Sequence, residues 1–145
     1  MRSLSLLASV LVVVAAWPIQ SLAGTVCRVP EDRPTFFAAL IDTDCAEIRL
    51  APGAYPAAFF ANRSVDIVGA GIERSYLYTD FPKTTIGVSS PHSLRLEGLT
   101  VLAWSPQLFP AIQANNGASL FMNLVSVRSG RPPADGIFAD RFQDP

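Results

Sequence analysis

Among 145 residues there is one histidine, His92, and there are two cysteines, Cys27 and Cys45. A single imidazole, far from both thiols in sequence, leaves no ligand set of the kind that builds a histidine metal centre. Charge is scarce as well, at 16% of residues, with 11 basic and 12 acidic side chains scattered without a run of either sign. Nothing here forms a basic stripe, so neither nucleic acid nor an anionic membrane surface is implied as a partner. The longest uncharged apolar run, Leu4–Ala16, falls short of the ~20 residues that a helix needs to cross a bilayer. Long helical periodicity is also missing, because most apolar stretches are short and are divided by turns.

What is present starts with a leader. Arg2 gives a positive end, Leu4–Ala16 an apolar centre, Trp17-Pro18 a break, and Ser21-Leu22-Ala23 small residues before a cut that leaves Gly24 first. The alternative, an uncleaved anchor, is too short to span. Cys27 stands beyond the position that lipid attachment requires. Removing residues 1–23 leaves 122, the size of one domain, with ten basic and twelve acidic groups and a net charge of −2 with His92 neutral. A secreted or periplasmic, extracellular address is therefore expected. In an exported chain two cysteines suggest one disulfide, Cys27 to Cys45, which would contribute about 3 kcal/mol through loop closure; a pair of buried thiols is the alternative.

The chain is organised around Ala46–Gly71, where Ile48 and Leu50, Ala57–Ala61, and Val65–Val68 read as strands separated by Pro52-Gly53 and Asn62-Arg63-Ser64. The last triplet matches a glycosylation sequon and reads as a turn. Further on, Ile86–Val101 and Ile112–Val127 align without a gap at an offset of 26, and Ser64–Gly69 joins Ser93–Gly98 at an offset of 29. A period of roughly 20 to 30 residues with several strands and no internal helix predicts a stacked coil. The expected fold is all-β, a right-handed single-stranded parallel β-helix of about four to five coils. Parallel strands are expected at Ile48–Leu50, Val65–Val68, Leu94–Leu96 and Leu120–Met122. One amino-terminal helix is expected over Pro34–Ile41, with Pro34 at its first position and Asp42-Thr43-Asp44 facing solvent beyond it. That helix would cap the first coil.

These residues carry a resemblance. Cys27–Val29, the helix at Pro34–Ile41, IRLAPGAY, SVDIVGAG and SYLYTD resemble the first coils of the pectin lyase-like right-handed β-helix superfamily, especially its pectinesterase-like branch. The likeness covers roughly 25–130 and implies domain limits of 24–130. Enzymes on that scaffold need clustered acids and a base on one face of successive coils. Where the resemblance implies a Gln-Asp-Thr element, the chain reads Ser129-Gly130-Arg131-Pro132-Pro133-Ala134-Asp135, and Asp-Asp and Gly-His-Gly motifs do not occur. His92 reads as a turn residue, and no catalytic, cofactor or metal residues are assigned.

For binding, Trp104, Leu108 and Phe109 in the excursion Ala103–Pro110 offer an aromatic lip for a sugar ring, or a cover for apolar surface. Asn115 and Asn116 offer an asparagine ladder, or simply a turn. The reading favoured is an exported, non-catalytic β-helix module with an extracellular polysaccharide as partner. The alternatives are a shortened polysaccharide-active enzyme and the front end of a longer gene. Oligomeric state is left open. Residues 131–145 are read as a tail, because Arg131-Pro132-Pro133 makes a good linker, or as an incomplete coil, because 26 residues beyond Ile112 lies Phe138.

Overall fold

Strands as short as those of Ala46–Gly71 are held only by neighbours above and below, and the chain supplies them at regular intervals. The computed structural model describes residues 24–105 and 107–133; the expected leader, 1–23, and the segment 134–145 lie outside the described residues. Strand accounts for 51% of what is described and helix for 6%, so the chain is mostly β. The elements run β1 (Thr25–Val29), α1 (Phe36–Ile41), β2 (Cys45–Leu50), β3 (Gly53–Pro56), β4 (Phe59–Ala61), β5 (Val65–Val68), β6 (Ser75–Tyr78), β7 (Ile86–Ser89), β8 (Ser93–Ala103), β9 (Ile112–Asn115) and β10 (Ser119–Ser129). One sheet, ordered β1-β2-β5-β8-β6-β3 with β10 added to β8, curls into a half-barrel, and β4-β7-β9 forms a second. Every pairing is parallel.

The expected registers are those observed. β10 lies on β8 and β9 on β7 at an offset of 26, as in Leu120 on Leu94 and Ile112 on Ile86, while β5 meets β8 at 29, as in Ile67 on Leu96. Because alternate side chains point to one face, equal offsets stack like on like: Cys27, Ile48, Ile67, Leu96 and Met122 form one inward column. Ile48, Ile67 and Leu96 are wholly buried, each worth about 1.5–3 kcal/mol over exposure. Two polar side chains join the layers. The Tyr55 hydroxyl donates to the Ala51 carbonyl at 2.9 Å, and the Ser75 hydroxyl donates to Ala51 at 3.0 Å while accepting from the Ala70 N–H at 2.9 Å. Gly69 admits the close layer, since a Cβ there would lie 2.4 Å from the Gly98 carbonyl oxygen.

Several expectations need correction. The break after Leu50 is confined to Ala51-Pro52: Gly53 already opens an unexpected strand, β3, which pairs with β6. Only Phe59–Ala61 of Ala57–Ala61 is strand. The strands expected at Leu94–Leu96 and Leu120–Met122 are the first thirds of eleven-residue strands. These pass through one left-handed residue each, Gly98 (φ 60°) and Leu124 (φ 51°), and the bend lets β8 pair with β5 and then β6. The helix begins at Phe36, not Pro34, because Thr35 caps it, its hydroxyl accepting from the Ala38 N–H at 3.1 Å.

The amino end is heavily tied. Cys27 and Cys45 are joined by a disulfide, with Cα atoms 5.4 Å apart. Phe36, Ala39 and Leu40 are buried, and the Phe36 ring meets Phe59 at 5.4 Å between centroids. Arg63 donates to the Leu40 and Ala39 carbonyls at 3.0 and 3.4 Å, satisfying acceptors that the helix end leaves open. Asp42 does not simply face solvent: its carboxylate pairs with Arg33 and accepts from the Asp44 N–H at 3.0 Å. These bonds, the Arg33 one foremost, hold the Asp42 carboxyl below its ordinary value. The backbone of Arg28 on β1 is closed as well, its N–H donating to the Asp32 carboxylate and its carbonyl accepting from Asp32 N–H, both at 2.8 Å.

At the carboxy end, no strand pairs with the outer edges of β9 and β10 among the described residues. Met122, which ends the column over Leu96, is 55% exposed, and Val127, over the buried Val101, is 54% exposed.

Candidate functional site

The outer face of the half-barrel carries a cross-strand row that follows from the same registers: Glu47 on β2, Asp66 on β5, Arg95 on β8 and Phe121 on β10. Beside it runs Arg49, Val68, Glu97 and Asn123. Strands spaced about 4.8 Å apart bring the side chains of a row into reach of one another. At the carboxy-terminal end of these rows Asp66, Ser93, Arg95, Leu120, Phe121, Met122 and Asn123 line an open groove of about 650 Å³.

Charge in the rows is paired along strands. Arg49 is paired with Glu47, and Arg95 donates to Glu97 at 2.8 Å. Exposed pairs such as these contribute at most about 1 kcal/mol and chiefly hold side chains in place. Asp66 brings a carboxylate to the groove, Arg95 a guanidinium, Ser93 a hydroxyl and Asn123 an amide, beside the apolar surfaces of Phe121 and Met122. Hydrogen-bonding groups next to flat apolar surface suit a ring that has hydroxyls at its edge and C–H groups on its face. Glu47, the carboxylate in register with Asp66, is tied to Arg49 and is not among the groove's lining residues.

The residues singled out from sequence do not meet. Asn115 and Asn116 stand before β10, on the side of Ser93; Trp104 follows the other end of β8, where Gly130 N–H donates to the Ala103 carbonyl. Trp104 is half open, at 41%, and the Arg131 guanidinium lies over its ring at 5.6 Å, a cation–π contact that takes up one face of the indole. Of its expected companions, Leu108 is exposed, and Phe109 lines a different groove of about 420 Å³ with Ala58, Phe59, Phe60, Lys83 and Thr84. Asn116 (φ 54°) and Gly117 (φ 79°) make a tight turn closed by Ala118 N–H to the Asn115 carbonyl at 3.0 Å. One layer below, the turn Ser89–His92 is closed by His92 N–H to the Ser89 carbonyl at 3.1 Å. No asparagine ladder forms between them, because serine and proline stand there; the Asn115 side chain instead accepts from Gln113 at 2.9 Å.

Cys27 and Cys45 carry their sulfurs within 4.8 Å of an Asp42 carboxylate oxygen. Both sulfurs are committed to the disulfide. Arg128, near the end of β10, pairs with Glu73 at 2.6 Å. Asp66, Arg95 and Phe121 were open to discovery in the sequence, since the offsets of 29 and 26 that align Ile67, Leu96 and Met122 also align their outward neighbours. Searches against family models, curated proteins and solved structures give no match for the chain.

Proposed function

We propose that the chain is an exported, non-catalytic module of the right-handed parallel β-helix type, related to the pectin lyase-like superfamily, that binds an extracellular polysaccharide along its outer face. The observation that carries this reading is the row Glu47, Asp66, Arg95 and Phe121, set in register across four parallel strands and ending in a groove of mixed polar and apolar lining. A binding face needs such alternation. A hydrolase would need in addition two carboxylates free to exchange protons across a scissile bond, and here Glu47 and Glu97 are each paired with an arginine of their own strand. The disulfide supports the extracellular address, in keeping with the leader expected over residues 1–23.

A glycan array, run beside a pectin-release assay, tests the proposal. Binding to a plant or microbial polysaccharide without release of product, weakened by Arg95→Ala and Phe121→Ala, is the expected result. Release of sugar or methanol by the purified chain would replace it with the shortened-enzyme reading, and binding indifferent to both substitutions would move the site elsewhere.

A further inference from the structure

We propose that the open carboxy-terminal layer is a homodimer interface, in which β10 of one copy pairs antiparallel with β10 of a second about a twofold axis. The inference does not depend on what the outer groove holds.

The apolar columns stop at Met122 and Val127 among the described residues, and with Leu124 and the outward Phe121 these stand between 54% and 66% exposed. Leu124 is the informative residue. It sits opposite Gly98 in the layer below and shares its left-handed backbone, φ 51° against 60°. Glycine takes that conformation freely, whereas a leucine is strained in it. Yet Leu124 as a residue is 66% exposed. A strained position that presents an apolar side chain to solvent has the character of a binding anchor.

The choice of a second copy follows from charge and from the other end of the molecule. Across β9 and β10 the one charged residue is Arg128, and it turns back to Glu73 of its own chain. A twofold interface sets a surface against itself, so a charged edge would repel its own copy and this neutral one does not. A head-to-tail stack is disfavoured, because the Arg28 backbone within β1 is already bonded to the following loop, whose Glu31, Asp32 and Arg33 flank the strand, with α1 beside it. The assembly therefore stops at two. The layer Ile112–Ser129 approaches the roughly 20 residues a side of a standard interface.

Sedimentation equilibrium on the exported, oxidised chain tests this, with Leu124→Gly and Val127→Lys as variants and a chain lacking Ala134–Pro145 as control. A reversible dimer is expected in the parent and in the shortened control. Each substitution should weaken it about tenfold or more, and Leu124→Gly should do so while the melting temperature of the dilute monomer rises. A parent monomeric at every concentration, or an assembly that grows past two, overturns the proposal. So does a dimer that Leu124→Gly leaves unchanged, or one that forms only once Ala134–Pro145 is removed, which would make that segment the occupant.

Discussion

The two ends of the strand stack begin from the same inward columns and finish them in opposite ways. At the amino end the last side chains are covered by Phe36, Ala39 and Leu40 of α1, a disulfide fixes β1 to β2, and Arg28 has its backbone groups closed by the following loop. At the carboxy end Leu96 is followed by a half-exposed Met122, and the edge of β10 has no partner among the described residues. What separates them is not hydrophobicity, which is similar, but the presence of a covering element with its own polar contacts. An apolar column needs a lid as much as it needs a period.

That contrast is easiest to break within one column. Leu96→Asp places a carboxylate in the wholly buried middle and is expected to cost several kcal/mol, or to prevent folding. Met122→Asp, one layer up and 55% exposed, is expected to cost under about 1 kcal/mol in the monomer. Urea denaturation of the two variants checks the pair, and equal losses would erase the difference between middle and end. Next in size, replacing both Cys27 and Cys45 by serine is expected to lower stability by about 3 kcal/mol, read by the same denaturation.

Smaller effects sharpen the description of the lid. Thr35→Ala removes the cap that accepts from Ala38 and is expected to cost about 1 kcal/mol by thermal melting. The Asp42 carboxyl is held below its ordinary value of 3.8 by Arg33 and the Asp44 N–H. Its stabilising contribution is therefore complete above that value and is lost as pH falls through the depressed one. Asp42→Asn should flatten the acid limb of the stability profile below about pH 4 and leave its slope near neutrality unchanged, as a set of melts across pH would show.

Much of the middle of the molecule was legible from sequence because it obeys one rule repeated. Ile67 over Leu96 and the pairs Ile86–Ile112 and Val101–Val127 are found by sliding the chain along itself. The features that escaped depend on single residues or distant partners. β3 was hidden because Pro52-Gly53 reads as a turn, although β3 pairs fully with β6. The length of β8 and β10 was hidden because each passes through one left-handed residue that reads as an interruption. Arg63 reaches the helix end across 23 residues and Arg131 covers Trp104 across 27, contacts with no local signature. The row Asp66, Arg95 and Phe121 escaped because its chemistry changes at every step while its spacing does not.

Single-residue amide hydrogen exchange, at a concentration where the chain is monomeric, tests the contrast most directly. β8 has neighbours on both edges, so its amides should be protected throughout; β10 has one, so slow and fast amides should alternate along Ser119–Ser129. The Arg28 amide, on the outermost strand at the other end, should be slow because Asp32 accepts from it. Uniform protection along β10 in the monomer, or rapid exchange at Arg28, would contradict a stack closed at one end and open at the other.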